Sequence, residues 1–156
     1  MKGGEHDLGS RYTSIAWKVI LIADLGVLLY GLMAVLSPEV LGEGFESYTG
    51  QSLSALFSTN SKIAEYLILL GRLVGAFNVA FAVGAIAIIL ASFRKGTTWS
   101  WITLLSINTI GYASPIVFDQ IVGSVGIFEQ LEIIFLLLIY LMLGISAKDF
   151  LKKDNA

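Results

Sequence analysis

GRLVGAFNVAFAVGAIAIILASFRKG, residues 71–96, is a long apolar run that closes on the basic pair Arg94 and Lys95. Small residues recur along it: Gly71 and Gly75 form a G-x-x-x-G, and Ala76, Ala80 and Gly84 continue at four-residue spacing. About 20 apolar residues suffice to cross the hydrocarbon core of a bilayer as a helix. Small residues let two helices approach closely where lipid removes the hydrophobic drive between them. The run therefore reads as a transmembrane helix on which the other helices pack, with its G-x-x-x-G used within the chain.

The rest of the composition agrees. The chain has 156 residues, of which 56% are hydrophobic and 14% charged, with a mean hydropathy of +0.79. Soluble domains carry about 25% charge, so a water-soluble fold of this length lacks the polar surface to cover itself. A net charge of -2 argues against nucleic-acid binding, which needs a basic surface. Cysteine is absent, which removes disulfides, thiolate metal sites and thiol redox chemistry together. The single histidine, His6, stands in a polar segment and reads as a solvated tail residue. No metal site, cofactor or catalytic set is expected.

Working outward from the opening stretch, four spans emerge: residues 14–37, 63–93, 100–118 and 127–147. Residues 1–13 read as a flexible tail and residues 148–156 as a basic one. The first span is too long for a signal peptide, its leading region holds Glu5 and Asp7, and no A-x-A site follows. Pro38 ends it. The loop behind it is long, and long loops are often functional or partly structured. In that loop Glu43, Glu46 and the glycines suit turns, while SLSALF, residues 52–57, reads as a short interfacial helix with Leu53, Leu56 and Phe57 on one side. Trp99 and Trp101 open the third span, where indole rings favour the interface. Asp119 ends it, and Pro115 is expected to kink its outer end. The fold class is all-α: a polytopic membrane protein, a four-transmembrane-helix bundle with a longer first extracytoplasmic loop.

Orientation follows from the basic residues. Lys2, Arg11, Lys18, Arg94, Lys95, Lys148, Lys152 and Lys153 fall on one side, and Glu39, Glu43, Glu46, Glu65 and Asp119 on the other. The positive-inside rule then places both termini in the cytoplasm, and an even number of spans agrees, since it puts both termini on one side. A multi-pass protein of the cell membrane is expected.

A charge near the centre of a span costs roughly 2.5–3.5 kcal/mol on insertion scales, so polar residues there need a reason. The rise of a helix gives their depth. Asp24 lies about 9 Å in from Lys18, Asn108 about 10 Å from Trp101, and Tyr140 about 12 Å from Lys148. These three are expected at one level on three helices, either as hydrogen-bonded interhelical glue, the preferred reading, or as a proton-sensitive or small-ligand site. Arg72 falls about 33 Å from Arg94, at the outer boundary. With Asn78 and Glu132 it forms a second candidate group, either an ion pair pinning the second span to the fourth or a site for the polar tip of a lipophilic ligand.

The segments LSPEVLG, GRLVGAFNVAF and FRKGTTWSW together resemble uncharacterised small four-helix membrane proteins of bacteria and archaea, loosely DoxX-like. The resemblance implies a four-helix membrane bundle. Some members are associated with redox or thiol chemistry in partnership with other proteins, a direct role that a cysteine-free chain does not support.

Three functional readings follow. The leading one is a non-enzymatic accessory or scaffold subunit of a larger membrane complex, embedded in the lipid bilayer, with a homo-oligomer as the other assembly expected. The second is a binder or carrier of a lipid or quinone through Arg72, Asn78 and Glu132. The third is a proton-coupled permease using Asp24.

Overall fold

The computed structural model describes residues 4–37, 39, 42–123 and 126–151, with side-chain positions from Arg11 onward. Lys2, Pro38, Lys152 and Lys153, and the side chain of His6, lie outside this description. The described residues form six α-helices: α1 (Gly4–Leu36), α2 (Gly42–Thr49), α3 (Leu53–Thr59), α4 (Ser61–Ala91), α5 (Thr98–Val122) and α6 (Ile127–Leu151). Four of them, α1, α4, α5 and α6, are long and apolar enough to cross a membrane. They make an all-α four-helix bundle, running up and down in turn.

The helix ends follow local chemistry. Asn60 closes α3 and opens α4, its side chain accepting from the Ile63 amide at 3.3 Å, as an N-cap should. Ser52 does the same for α3 toward Ala55. Gly96 (φ 75°) and Gly123 (φ 74°) adopt the left-handed conformation at the ends of the 3-10 turn 93–95 and of α5, where a side chain would be strained.

Several boundaries differ from the sequence reading. α1 is already helical at Gly4, inside the stretch read as a flexible tail. Glu43 and Glu46 lie in a helix, α2, rather than in turns. The helix at 52–57 is present as α3, with Leu56 buried and Phe57 exposed. α5 runs through Pro115 and past Asp119 to Val122, because Gly123, not an acidic residue, supplies the stop. α6 continues to Leu151.

Packing goes round a square. α1 packs most extensively on α4 and next on α6; α5 packs on α6 and more lightly on α4. Like α6 and unlike α4, α1 thus has two broad neighbours. Ala16, Ala23, Gly31 and Ala34 on its buried side let both come close. On α4 the buried and half-buried positions 64, 68, 71, 75, 78, 82, 85 and 89 alternate in steps of four and three, the seam of left-handed helix pairs. Gly71 and Gly75 belong to that seam; Ala76, Ala80 and Gly84 are exposed. A strict four-residue step winds about 40° per step around a helix of 3.6 residues per turn, so a stripe of small residues at that spacing leaves the contact face.

The G-x-x-x-G is used within the chain. A Cβ on Gly75 would stand 2.8 Å from the Gly31 carbonyl oxygen and the Val35 nitrogen, and one on Gly31 would stand 2.9 Å from the Gly75 oxygen. Backbone meets backbone there, and only glycine permits it.

Candidate functional site

The centre of the square is where side chains from non-adjacent helices meet. α5 sends in one stripe at four-residue spacing: Ser100, Leu104, Asn108 and Tyr112, all buried. α1 sends in Ile20 and Asp24, both 0% exposed. Asp24 is a carboxyl inside an apolar span, with neither oxygen hydrogen-bonded to the protein. The Asn108 amide nitrogen donates to the Leu104 carbonyl at 3.0 Å, which leaves its Oδ1 unpartnered, as is the Tyr112 hydroxyl. Four buried oxygen atoms on two facing helices therefore lack a protein partner. Buried polar groups in folded proteins are almost always paired, and exceptions call for an explanation.

Tyr112 is held in place from α4. The Phe81 ring meets it edge-on, centroids 6.5 Å apart at 80°. Gly111 makes room for that ring, since a Cβ there would lie 2.6 Å from it. Asp24 and Glu132 are the carboxylates close enough to act electrostatically on the Tyr112 hydroxyl. The hydroxyl thus stands between the central acid and one nearer the bundle end.

The sequence reading placed Tyr140 with Asp24 and Asn108. The structure places it elsewhere: Tyr140 is 37% exposed and donates to the Thr109 hydroxyl at 2.9 Å on the outside of the bundle. The depth estimate holds, since Thr109 adjoins Asn108, but the azimuth differs. Tyr112 occupies the role instead. Its signal was legible, one turn beyond Asn108 on the same face. Of the three, Tyr140 alone bonds across helices; Asp24 and Asn108 make no hydrogen bond to each other or to another helix.

The second candidate group does not assemble. Arg72 is exposed, and the single ion pair among the described residues is Lys62–Glu65, 3.0 Å on the surface. Asn78 sits in the α1–α4 seam, with its Cβ beside Gly31. Glu132 is half-buried and faces other acids: Asp119 and Glu129 are the charges acting on it. Tyr30 of α1 adjoins these three carboxylates and packs on Phe128 of α6, ring centroids 5.4 Å apart. Like charges share one end of the bundle where an Arg–Glu pair was expected.

Between α2 and α3 lies an open groove of about 360 Å³, lined by Glu39, Glu43, Glu46, Leu53 and Phe57 among others. Among the described residues no three His, Cys, Asp or Glu side chains are grouped to hold a metal ion. The chain matches no protein-family model, no curated protein and no solved structure.

Proposed function

We propose that this chain is a small non-enzymatic membrane protein whose working centre is Asp24, which takes up a proton or a small monovalent cation between the helices. One observation carries this: Asp24 Oδ1 and Oδ2, Asn108 Oδ1 and Tyr112 Oη are all buried without protein partners, and the Asp24 carboxyl is close enough to act on the Tyr112 hydroxyl, one turn from Asn108. Hard oxygen atoms, one pair anionic when ionised, are what a proton or an alkali cation seeks. Ionisable residues inside a span are costly and commonly mark ion or proton pathways. The basic end of the bundle, with Lys18, Arg94, Lys95 and Lys148, is placed in the cytoplasm by the positive-inside rule.

Infrared difference spectra of the protein in liposomes test this directly. They are recorded between acidic and alkaline buffer, and between sodium and choline salts at fixed pH. A carboxyl band is expected in at least one difference spectrum of the wild type and is expected to vanish in Asp24→Asn. Identical spectra from the two proteins under both changes would overturn the proposal.

A second reading, the accessory subunit of a larger membrane complex, is favoured by the exposed small residues Ala76, Ala80 and Gly84 on α4. A Cβ on Gly84 would meet nothing within 4 Å, so a partner helix finds room there. Mild extraction followed by sizing checks it: a lone monomer with no co-purifying partner counts against it.

A further inference from the structure

The two ends of the bundle treat the central oxygens differently. Below Asp24, toward the basic end, the next inward residues are apolar and fully buried. Ile20 precedes Asp24 by one turn on α1, and Leu104 precedes Asn108 by one turn on α5, both 0% exposed. Leu143 and Phe150 of α6, with Ile89 and Phe93 next to the end of α4, complete the plug, at 0–1% exposed, and the buried Ser100 and Ser146 hydroxyls among them are taken up by the Thr97 and Met142 carbonyls. Phe93 and Phe150 stack with centroids 4.6 Å apart. An ion moving through that layer would lose its hydration with nothing in exchange.

Toward the acidic end the inward positions change character. The seam of α6 reads Glu132, Leu136, Ile139, Leu143, Ser146 and Phe150 in steps of four and three. Glu132 therefore extends the inward face of α6 beyond its apolar part. No residue of α6 before Ile139 is buried. On α5, Asp119 stands seven residues beyond Tyr112, about 10 Å. On α1, Tyr30 stands six residues beyond Asp24, about 9 Å. Three helices thus carry oxygen-bearing side chains above the central acid, where Glu132, Asp119 and Glu129 all act on Tyr30. The acids there would be a weak argument alone. They gain meaning from the buried Asp24 and Tyr112 beneath them, whose oxygens lack partners.

We propose that the central oxygens are reached from the acidic end only, along Glu132, Asp119 and Tyr30, and that the apolar layer at Ile20 and Leu104 closes the other side. This rests on the assignment of Asp24 as a cation or proton site. The path is a half-channel: it draws cations in, holds them at Asp24 and returns them to the same side.

The chain contains no cysteine, so single cysteines can report access without background. Val27→Cys lies just beyond Asp24 on the acidic side and Ile20→Cys just below it; Ser54→Cys on α3 and Lys95→Cys mark the two ends. Each is treated with membrane-impermeant thiosulfonates, one cationic and one anionic, from either side of the membrane. Val27→Cys is expected to react from the Ser54→Cys side, faster with the cationic reagent, and Ile20→Cys from neither side. Adding Glu132→Gln to Val27→Cys should reduce the preference for the cationic reagent. Protection of Val27→Cys from that side, or modification of Ile20→Cys from the Lys95→Cys side, would overturn the half-channel. If the Asp24 infrared band persists in that case, only the route has failed and the site stands; if the band is also missing, the site itself has failed.

Discussion

The basic and acidic ends of the bundle are built from the same four helices but are held together by different means. At the basic end, the helices are tied across by side chains that reach a neighbour's backbone. Thr98 donates to the Phe150 carbonyl at 2.7 Å, and the Trp101 indole donates to the Leu143 carbonyl at 2.9 Å. Thr13 bonds Asp149, joining α1 to α6. Under these ties lies the apolar plug. At the acidic end, α1 and α4 touch through Gly31 and Gly75. α5 and α6 face the interior there with Asp119 and Glu132. Its ties are the Tyr30–Phe128 ring contact and the Ser47 hydroxyl donating to the Gly123 carbonyl at 3.0 Å. One end is apolar and cross-tied, and the other places carboxyl groups on its inner faces.

Six substitutions probe this contrast, each read by reversible unfolding in mixed micelles. The largest effect is expected from Phe150→Ala, which hollows the plug and should cost about 3–5 kcal/mol, the range for a buried aromatic. Phe128→Ala at the acidic end, already 37% exposed, should cost clearly less; equal losses would erase the contrast between the ends. Gly75→Ala should cost about 1–3 kcal/mol by overpacking, because the new Cβ meets the backbone of α1. Gly84→Ala, with open space around it, should leave stability unchanged and serves as the control. Asp24→Val should raise stability by about 1–2 kcal/mol, because it removes an unpartnered buried polar group. A loss of stability would instead mean that Asp24 ties helices together. Apart from the Gly84→Ala control, the smallest effect is expected from Tyr140→Phe, which removes one exposed interhelical bond and should cost about 0.6 kcal/mol, the average for such bonds in a membrane protein.

Much of the fold was legible because it is set by local properties of the chain. The length of an apolar run and the small residues along it gave four rods and the intramolecular G-x-x-x-G. Boundaries were less legible, since Asp119 looked like a stop and Gly123 was the one that acted. The acidic loop looked like turns, although Glu43 and Glu46 sit on a helix.

The candidate site was half legible. Rise per residue gives how deep a side chain lies, and Tyr140 does reach the level of Asn108, at Thr109. Rise does not give which way a side chain faces across helices. That angle is fixed by packing, where Gly31 meets Gly75 and Phe81 lies over Gly111, and it turned Tyr140 outward and Tyr112 inward. For the same reason Arg72 and Glu132, plausible partners by depth, face different surroundings. By itself the sequence determined the number of rods, their apolar character and which polar residues needed an explanation, because these depend on composition along a single helix. The tertiary structure alone decided which of those residues meet, because meeting depends on the rotation of each helix about its own axis, and only contact with its neighbours sets that rotation.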